Sequence, residues 1–222
     1  MSHGFTGNKS ELGRFDTAAQ EINHAGYNVL KYDYAGCGES EDFKIKLSSH
    51  IDDLTAAINF VKELGYQNIG LLGLSTGGLV SLNAYNNAEI TAMVLWAPVT
   101  SSMDITNGYF VEKQLNELSQ KGYLTVNREN SLREITLVDQ QMFIDRKNVD
   151  QRSLLEGIEC PTLIIHGDND KRIPIQNSEK ALVYLNKESK LIIIKDADHL
   201  FKKQLNQFIT ESIFWFKKYL TI

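Results

Sequence analysis

The sequence has little cysteine, little proline and no long apolar run. Its 222 residues include two cysteines, Cys37 and Cys160, whose spacing fits neither a metal site nor a disulfide framework, so a reducing, cytoplasmic setting is expected. Three prolines and no low-complexity tract are typical of a globular protein. No stretch approaches the roughly 20 apolar residues that cross a bilayer, and MSHGFTGNKS lacks the basic head and apolar run of a signal peptide.

Positive charge is scarce as well. Lysine and arginine number 23 against 28 acidic residues, which gives a net charge of −5. Without a basic surplus the chain cannot neutralise many phosphates, so a nucleic-acid partner is not expected. The length suits one domain. The oligomeric state is left open, with a homodimer as one option.

Short apolar, β-branched runs alternate with amphipathic segments along most of the chain. This pattern predicts an α/β fold, with a mostly parallel sheet covered by helices on both faces. Strands are predicted at 28–34, 68–74, 91–97, 161–166 and 190–195. Helices are predicted at 12–25, at 51–61, directly after Ser75, at about 176–186 and at about 203–220.

Residues 98–157 separate two predicted strands by far more than a crossover needs. We interpret this segment as a cap inserted into a core made of 1–97 and 158–222. Segments 109–121 and 130–145 within it are predicted to be helices. Four aromatic residues of the cap are candidates for an apolar wall over the site: Tyr109, Phe110, Tyr123 and Phe143.

The strongest local signal is Gly73-Leu74-Ser75-Thr76-Gly77, a GxSxG pentapeptide. A serine hydroxyl is a poor nucleophile unless a base takes its proton and the fold exposes its oxygen. A sharp strand-to-helix turn exposes it, and small residues two before and two after the serine prevent a collision there. The pentapeptide follows an apolar strand and precedes a predicted helix, so Ser75 is predicted to be a nucleophile.

The base and the acid are expected in loops after later strands. His199 follows LIIIK in the loop DADHLF. His24 lies in the first predicted helix and His50 opens the second, and both are expected to be surface or capping residues. The acid must fix the imidazole's tautomer and stabilise the imidazolium. Asp170, after strand 161–166, is preferred for this role, and Asp168 is the alternative.

An oxyanion formed at the carbonyl needs backbone N–H donors. Thr76, directly after the nucleophile, and Phe5, in the HGFTG loop, are the predicted donors. No cofactor or metal is expected. The glycines around Cys37 lack the third glycine of a dinucleotide fingerprint, the acidic residues after Asp168 lack the glycine of a calcium loop, and no histidine–cysteine cluster suggests zinc.

Five motifs in this order, HGFTGNKSE, YDYAGCGES, GLSTGG, HGDNDKRIP and DADHLF, resemble the α/β-hydrolase superfamily. Within it they are most similar to microbial cinnamoyl (feruloyl) esterases and related small carboxylesterases. The resemblance covers nearly the whole chain except 98–157. It implies the same triad of Ser75, Asp170 and His199, and the backbone N–H groups of Phe5 and Thr76 as oxyanion donors.

The chain departs from that family at its start. The related sheets have about three strands ahead of HGF, and two residues stand there in this chain. The sheet is therefore expected to have a gap beside the strand at 28–34 with unpaired backbone groups. Met1 is accordingly expected to be an internal methionine of a longer chain, and the loop that carries Phe5 to lack an anchor.

The predicted function is hydrolysis of a small carboxylic ester by a Ser-His-Asp acyl-enzyme mechanism, with cinnamoyl or short-chain acyl esters as candidate substrates. A thioesterase or acyltransferase would use the same residues. A peptidase shares the fold, although the accessory domain of oligopeptidases is absent from this sequence. An inactive binding module on the same scaffold is the alternative from another class.

Overall fold

The computed structural model describes residues 1–86, 89–106, 108–129 and 131–221. Within these ranges the chain forms eight helices and seven strands. The helices are α1 (Arg14–His24), α2 (Leu47–Glu63), α3 (Thr76–Asn83), α4 (Glu112–Lys121), α5 (Gln140–Lys147), α6 (Gln151–Leu155), α7 (Ile175–Leu182) and α8 (Leu205–Tyr219). The strands are β1 (Lys44–Ile45), β2 (Ile69–Leu74), β3 (Ile90–Trp96), β4 (Tyr123–Asn127), β5 (Ile135–Asp139), β6 (Thr162–Gly167) and β7 (Lys190–Ile194).

Four strands form an all-parallel sheet in the order β2-β3-β6-β7. Every residue of β6 is buried, as is nearly every residue of β2 and β3. Burial on both faces explains why these strands are continuous apolar runs in the sequence. Because the strands are parallel, the loops after β2, β3, β6 and β7 all leave the sheet at the same edge.

Helices cover both faces of this sheet, which confirms the predicted α/β architecture. On one face α1 and α8 pack against β3, and the Trp96 indole N–H donates to Ser212 Oγ of α8 at 2.9 Å. On the other face lie α2, α3 and α7, with Leu54, Leu79 and Ala181 in one buried cluster. No helix in the described residues is both long and apolar enough to span a membrane.

The prediction of a strand at 28–34 is wrong, because this segment has too few backbone partners. Ser2 lies beside β2, with its N–H donating to Leu72 O at 2.8 Å and its carbonyl accepting from Leu74 N–H at 3.0 Å. On its other side, the Met1 amino group donates to Leu30 O at 2.8 Å. Beyond these contacts a cavity of about 710 Å³ separates residues 28–32 from 69–72. This is the gap that the short N-terminal segment predicts.

One helix predicted within 98–157 is also partly wrong. Residues 135–139, predicted within a helix at 130–145, form β5 instead, and only the later part of that range is helical, in α5; Asn130 lies outside the described residues. The burial of β5 alternates along Ile135–Asp139, and it pairs antiparallel with β4 and parallel with β1. Period-two burial of β-branched residues is what a strand requires. The helix predicted at 109–121 is found as α4.

His50 is not the surface or capping residue that its position suggests. It is buried within α2 and stacks on Tyr34 with the ring centroids 4.1 Å apart. Neither of its ring nitrogens has a hydrogen-bond partner in the described part of the chain. Burial, with a smaller contribution from the charge of His3, lowers the pKa of His50 from 6.5 to about 3.

This lowered pKa predicts an acid-sensitive fold. The unfolded chain binds a proton on His50 below pH 6.5 and the folded chain does so only near pH 3, so the free energy of unfolding decreases as the pH falls between these values. At pH 4.5 the loss from this residue is about 2 to 3 kcal/mol. The variant His50→Phe keeps the ring stack but cannot bind this proton. We expect its free energy of unfolding, measured by urea titration, to differ less between pH 4.5 and pH 7.5 than that of the wild type. An equal pH dependence in wild type and variant would contradict the assignment.

Candidate active site

Ser75 lies in the turn between β2 and α3. Its backbone has a φ of 54° and a ψ of −115°, a region that residues with a side chain rarely adopt. The conformation is held on three sides: Ser75 N–H donates to Trp96 O at 2.9 Å, and Ser75 O accepts from Gly78 N–H at 3.0 Å and Val99 N–H at 3.1 Å. The strained turn presents the hydroxyl at the carboxyl edge of the sheet.

The two flanking glycines are required by close backbone approaches. A Cβ on Gly73 would lie 2.6 Å from Gly77 O, and a Cβ on Gly77 would lie 2.0 Å from Ser2 O. Both distances are far below van der Waals contact. The turn around Ser75 is therefore possible only with the GxSxG spacing, which supports the local geometry that the pentapeptide predicts.

Asp170 and His199 meet at the same edge. His199 Nδ1 donates to Asp170 Oδ2 at 2.6 Å, and the Asp170 side chain is fully buried. Asp170 Oδ1 accepts from the backbone N–H groups of Arg172, at 2.8 Å, and Ile173, at 2.9 Å. These bonds fix the imidazole with its proton on Nδ1 and leave Nε2 as the basic nitrogen.

A second histidine shares the Asp170 carboxylate. His166 Nε2 lies 3.2 Å from Asp170 Oδ2 and 3.0 Å from Ile173 O, while Ser178 Oγ lies 2.7 Å from Nδ1. Two acceptors face Nε2, so Nε2 carries the proton. Burial by itself would raise the pKa of Asp170, but the hydrogen bonds from His166 and His199 and the charge of His199 hold it well below its usual range. Asp170 is therefore ionised at neutral pH.

Asp168, the alternative acid, lies elsewhere in the same turn. Its Oδ1 accepts from Asp196 N–H at 2.7 Å, which ties the turn after β6 to the loop after β7. No hydrogen bond joins Asp168 to His199 in the described chain. The geometry favours Asp170 over Asp168 as the partner of His199.

The loops that carry Ser75 and His199 are connected through a buried ion pair that sequence reasoning missed. Glu11 Oε1 accepts from Gly4 N–H at 2.5 Å, and Glu11 Oε2 lies 2.6 Å from Arg14 Nη2. Arg14 Nη1 donates to Leu200 O, next to His199, at 3.1 Å. A Cβ on Gly4 would lie 3.7 Å from Ser75 Cβ, so these contacts link the HGFTG loop beside Ser75 to the histidine loop.

Ser75 Oγ and His199 do not share a hydrogen bond in the described structure. The loop contacts bring them to the same edge, and the ring of His199 lies 6.4 Å from that of Phe201, which in turn packs on Trp96 at 5.8 Å. Catalytic hydrogen bonds are commonly long or poorly aligned without substrate and shorten in the complex. The hydrogen bond between Asp170 and His199 is therefore formed, and the one between Ser75 and His199 is not.

The two predicted oxyanion donors, Thr76 and Phe5, lie directly after Ser75 and in the HGFTG loop beside it. Thr76 is the first residue of α3, where an N–H has no partner within the helix. Phe5 lies in the HGFTG loop, and neither the Thr76 N–H nor the Phe5 N–H has an acceptor among the described residues. His3 braces this loop, because its Nε2 accepts from Tyr34 N–H at 3.2 Å and its Nδ1 lies 3.0 Å from Gly4 O.

We expect Glu11→Gln to lower the free energy of unfolding by about 3 kcal/mol, since it leaves the buried Arg14 guanidinium without a counter-charge. The same change loosens the loop that holds Phe5, so catalytic turnover should fall with stability. Urea denaturation measures the first effect. Glu156→Gln, which breaks the exposed pair with Arg152, is the matched control and should have little effect. Similar changes in the two variants would refute a structural role for Glu11.

Segment 98–157 contributes aromatic side chains in different environments. Phe110 and Phe143 form an edge-to-face pair with centroids 5.6 Å apart, packed on the core. Tyr109 is half-exposed, and its hydroxyl donates to Arg172 O at 3.0 Å, two residues beyond Asp170. Tyr123 instead faces the Lys44 ammonium, 4.4 Å from its ring. The contacts therefore connect Tyr109 to the acid's turn.

Residues 1–153 match the family Hydrolase_4, described as "Serine aminopeptidase, S33". The chain is 26% identical over 205 residues to the uncharacterized protein YfhR of Escherichia coli K12, which covers 90% of this chain and 61% of YfhR. It is 27% identical over 201 residues to the serine hydrolase BPHL of Mus musculus, covering 83% of this chain and 67% of BPHL. It therefore spans about three fifths of the length of YfhR.

Among solved structures, the chain is similar to Est1E of Butyrivibrio proteoclasticus with bound ferulic acid. The TM-score is 0.80 at 19% identity, over 99% of this chain and 87% of that chain. At such low identity, this structural similarity supports a shared α/β-hydrolase fold. The likeness to the feruloyl esterase is structural, and it leaves the substrate open.

Proposed function

Because the chain belongs to the Hydrolase_4 family, we propose that it is a serine hydrolase that cleaves carboxylic esters through an acyl-enzyme. One observation supports this most strongly: the buried Asp170 carboxylate holds His199 with its free nitrogen available at the edge where the strained turn presents Ser75. A nucleophile, a base and a group that orients the base are the parts that acyl transfer to water requires.

In the proposed mechanism His199 Nε2 takes the proton of Ser75 Oγ as the oxygen attacks the ester carbonyl. The backbone N–H groups of Phe5 and Thr76 stabilise the negative charge that develops on the carbonyl oxygen. His199 then returns the proton to the departing alcohol. A water activated by the same imidazole releases the acid and restores the serine. Asp170 stays ionised throughout and stabilises the imidazolium.

The family description makes an aminopeptidase the second candidate. Such an enzyme needs a free carboxylate to bind the terminal ammonium of its substrate. Glu11 and Asp170, two buried carboxylates beside the site, are already paired with Arg14 and His199. Their engagement favours an ester over a peptide. A thioester would be attacked in the same way, and rates on matched oxygen esters and thioesters distinguish the two.

The compartment is part of the same proposal. Cys37 and Cys160 are both free thiols. Burial raises the pKa of Cys37 to about 12 and that of Cys160 to about 11, so neither forms a reactive thiolate at neutral pH. Two unpaired, unreactive cysteines support a reducing setting such as the cytoplasm.

Covalent labelling tests the proposed function directly. A fluorophosphonate probe should modify the wild-type chain at Ser75, as located by mass spectrometry of the digested protein. Preincubation with a short-chain p-nitrophenyl ester should slow the labelling. A folded protein that is not labelled, or that is labelled at another residue, would instead support a binding module on this scaffold.

A further inference from the structure

The six arginines of the chain fall into two groups by their partners. Three of them form ion pairs with carboxylates: Arg14 with Glu11, Arg133 with Asp42 and Arg152 with Glu156. The other three are Arg128, Arg146 and Arg172, and none of these forms an ion pair within the described residues. Arg128 contacts the HGFTG loop, Arg172 lies in the turn that holds Asp170, and Arg146 lies on α5.

Arg146 is the most unusual of the three. It lies on α5 with 2% of its surface exposed, and its Nη1 has no hydrogen-bond partner in the described structure. An arginine is effectively always charged, and a buried charge without a partner is costly. Burial lowers the pKa of Arg146 to about 10, which still leaves it protonated at neutral pH. The guanidinium is therefore a buried cation without a counter-charge among the described residues.

The backbone connects Arg146 to the nucleophile. Val99 N–H donates to Ser75 O at 3.1 Å, and Met103 N–H donates to Arg146 O at 3.1 Å. Four residue steps between Val99 and Met103 span at most about 15 Å. Ser75 and Arg146 thus lie at opposite ends of one short loop. The Arg146 guanidinium also lies close enough to Tyr109 for the two groups to interact electrostatically, and the Tyr109 hydroxyl donates to Arg172 O in the turn that holds Asp170.

The two other unpaired arginines border the site from different elements. Arg128, after β4, donates from Nη2 to Thr6 Oγ1 at 2.5 Å and contacts Phe5 O at 3.4 Å, so it lies against the oxyanion loop. Arg172 follows Asp170, and its carbonyl accepts the Tyr109 hydroxyl. Arg128 and Arg172 lie close enough for their charges to interact, which concentrates positive charge beside the loop of Phe5.

We propose that this site takes esters that carry a carboxylate, such as monoesters of dicarboxylic acids, and that Arg146 is the counter-ion of that carboxylate. The inference rests on the proposed hydrolase function and specifies its substrate class. A planar guanidinium binds a carboxylate through two parallel hydrogen bonds, which is the pairing that the unpartnered Nη1 lacks. The Phe110–Phe143 pair beside α5 suits the apolar spacer between the two ends.

Two chromogenic substrates test the proposal: p-nitrophenyl hemiglutarate, which ends in a carboxylate, and p-nitrophenyl valerate, which ends in a methyl group. The wild type should have a kcat/KM about tenfold or more higher on hemiglutarate, as one charge-assisted contact provides. Arg146→Met should reduce the ratio of the two kcat/KM values toward one, and Arg146→Lys should restore part of it. Arg152→Met, an exposed arginine away from the site, should leave the ratio unchanged. A wild type with no preference, or a preference that persists in Arg146→Met, overturns the proposal.

Binding separates this inference from the proposed function. Glutarate should raise the Tm of the Ser75→Ala protein more than valeramide does, and the difference should disappear when Arg146→Met is added. If the wild type hydrolyses neither ester but glutarate still stabilises it through Arg146, the hydrolase proposal fails and the anion site stands. If valerate is hydrolysed and glutarate neither stabilises nor competes, the anion site fails alone. If Arg146→Met does not fold, the wild type is tested alone: glutarate should inhibit its hydrolysis of p-nitrophenyl valerate. An absence of inhibition overturns the proposal.

Discussion

Replacing Ser75 by alanine is expected to lower kcat for ester hydrolysis by about 10⁵- to 10⁶-fold. The hydroxyl is the atom that forms the acyl-enzyme, and neither His199 nor the oxyanion donors replace it. The turn itself should tolerate the change, because its strain is held by backbone bonds to Trp96, Gly78 and Val99 rather than by the side chain. Initial rates on p-nitrophenyl acetate measure the loss, and an unchanged Tm shows that the fold is intact.

Ser119→Ala is the control for that experiment. Ser119 is exposed on α4, away from the sheet edge. It should keep wild-type rates and wild-type labelling by the fluorophosphonate probe. Ester hydrolysis that continues undiminished in Ser75→Ala would show that another group performs the chemistry and would end the proposed mechanism.

Asp170→Asn is expected to lower kcat by about 10⁴-fold. The amide no longer supplies the negative charge that stabilises the imidazolium, and it favours the wrong tautomer of His199. The effect should be in kcat rather than in KM, since Asp170 is buried behind the imidazole and does not face the substrate. Steady-state kinetics on p-nitrophenyl butyrate give both constants.

Asp168→Asn provides the comparison for Asp170. The two carboxylates belong to the same turn, but Asp168 accepts from Asp196 N–H and Asp170 from His199. We expect Asp168→Asn to reduce activity modestly through the position of the histidine loop. If Asp168→Asn caused the larger loss in kcat, the acid would have been assigned to the wrong residue. A folded Asp170→Asn protein with full activity would exclude the triad.

The features that the sequence predicted well are those decided within a few residues. The runs at 68–74, 91–97 and 161–166 are apolar throughout because both faces of each strand are covered, and the structure contains β2, β3 and β6 there. The helices α2 and α8 follow from their periodic buried stripes. The turn at Ser75 follows from two glycines.

The predictions that were wrong concern residues whose structure depends on partners distant in the chain. Residues 28–34 have the composition of a strand, but a strand needs a neighbouring strand along its whole length. Within the described residues this segment has only scattered hydrogen bonds, such as Met1 to Leu30 O and Tyr34 N–H to His3 Nε2. Residues 135–139 are predicted to be helical from the local sequence, but their pairing with 123–127 makes them a strand. His50 was taken for a surface residue because nothing local shows that Tyr34 stacks on it.

The sequence by itself determined the fold class, the strand-to-helix turn at Ser75 and the small set of residues from which a triad could be chosen. Apolar periodicity and glycine spacing involve residues that are close together in the chain, so the amino-acid sequence is enough to recognise them. Only the tertiary structure shows that His199 bonds to Asp170 rather than to Asp168. It also shows that Glu11 and Arg14 connect the HGFTG loop to the histidine loop, and that Arg146 is buried without a counter-charge among the described residues. These contacts join loops far apart in the chain, and their energies depend on burial and geometry that no local pattern contains.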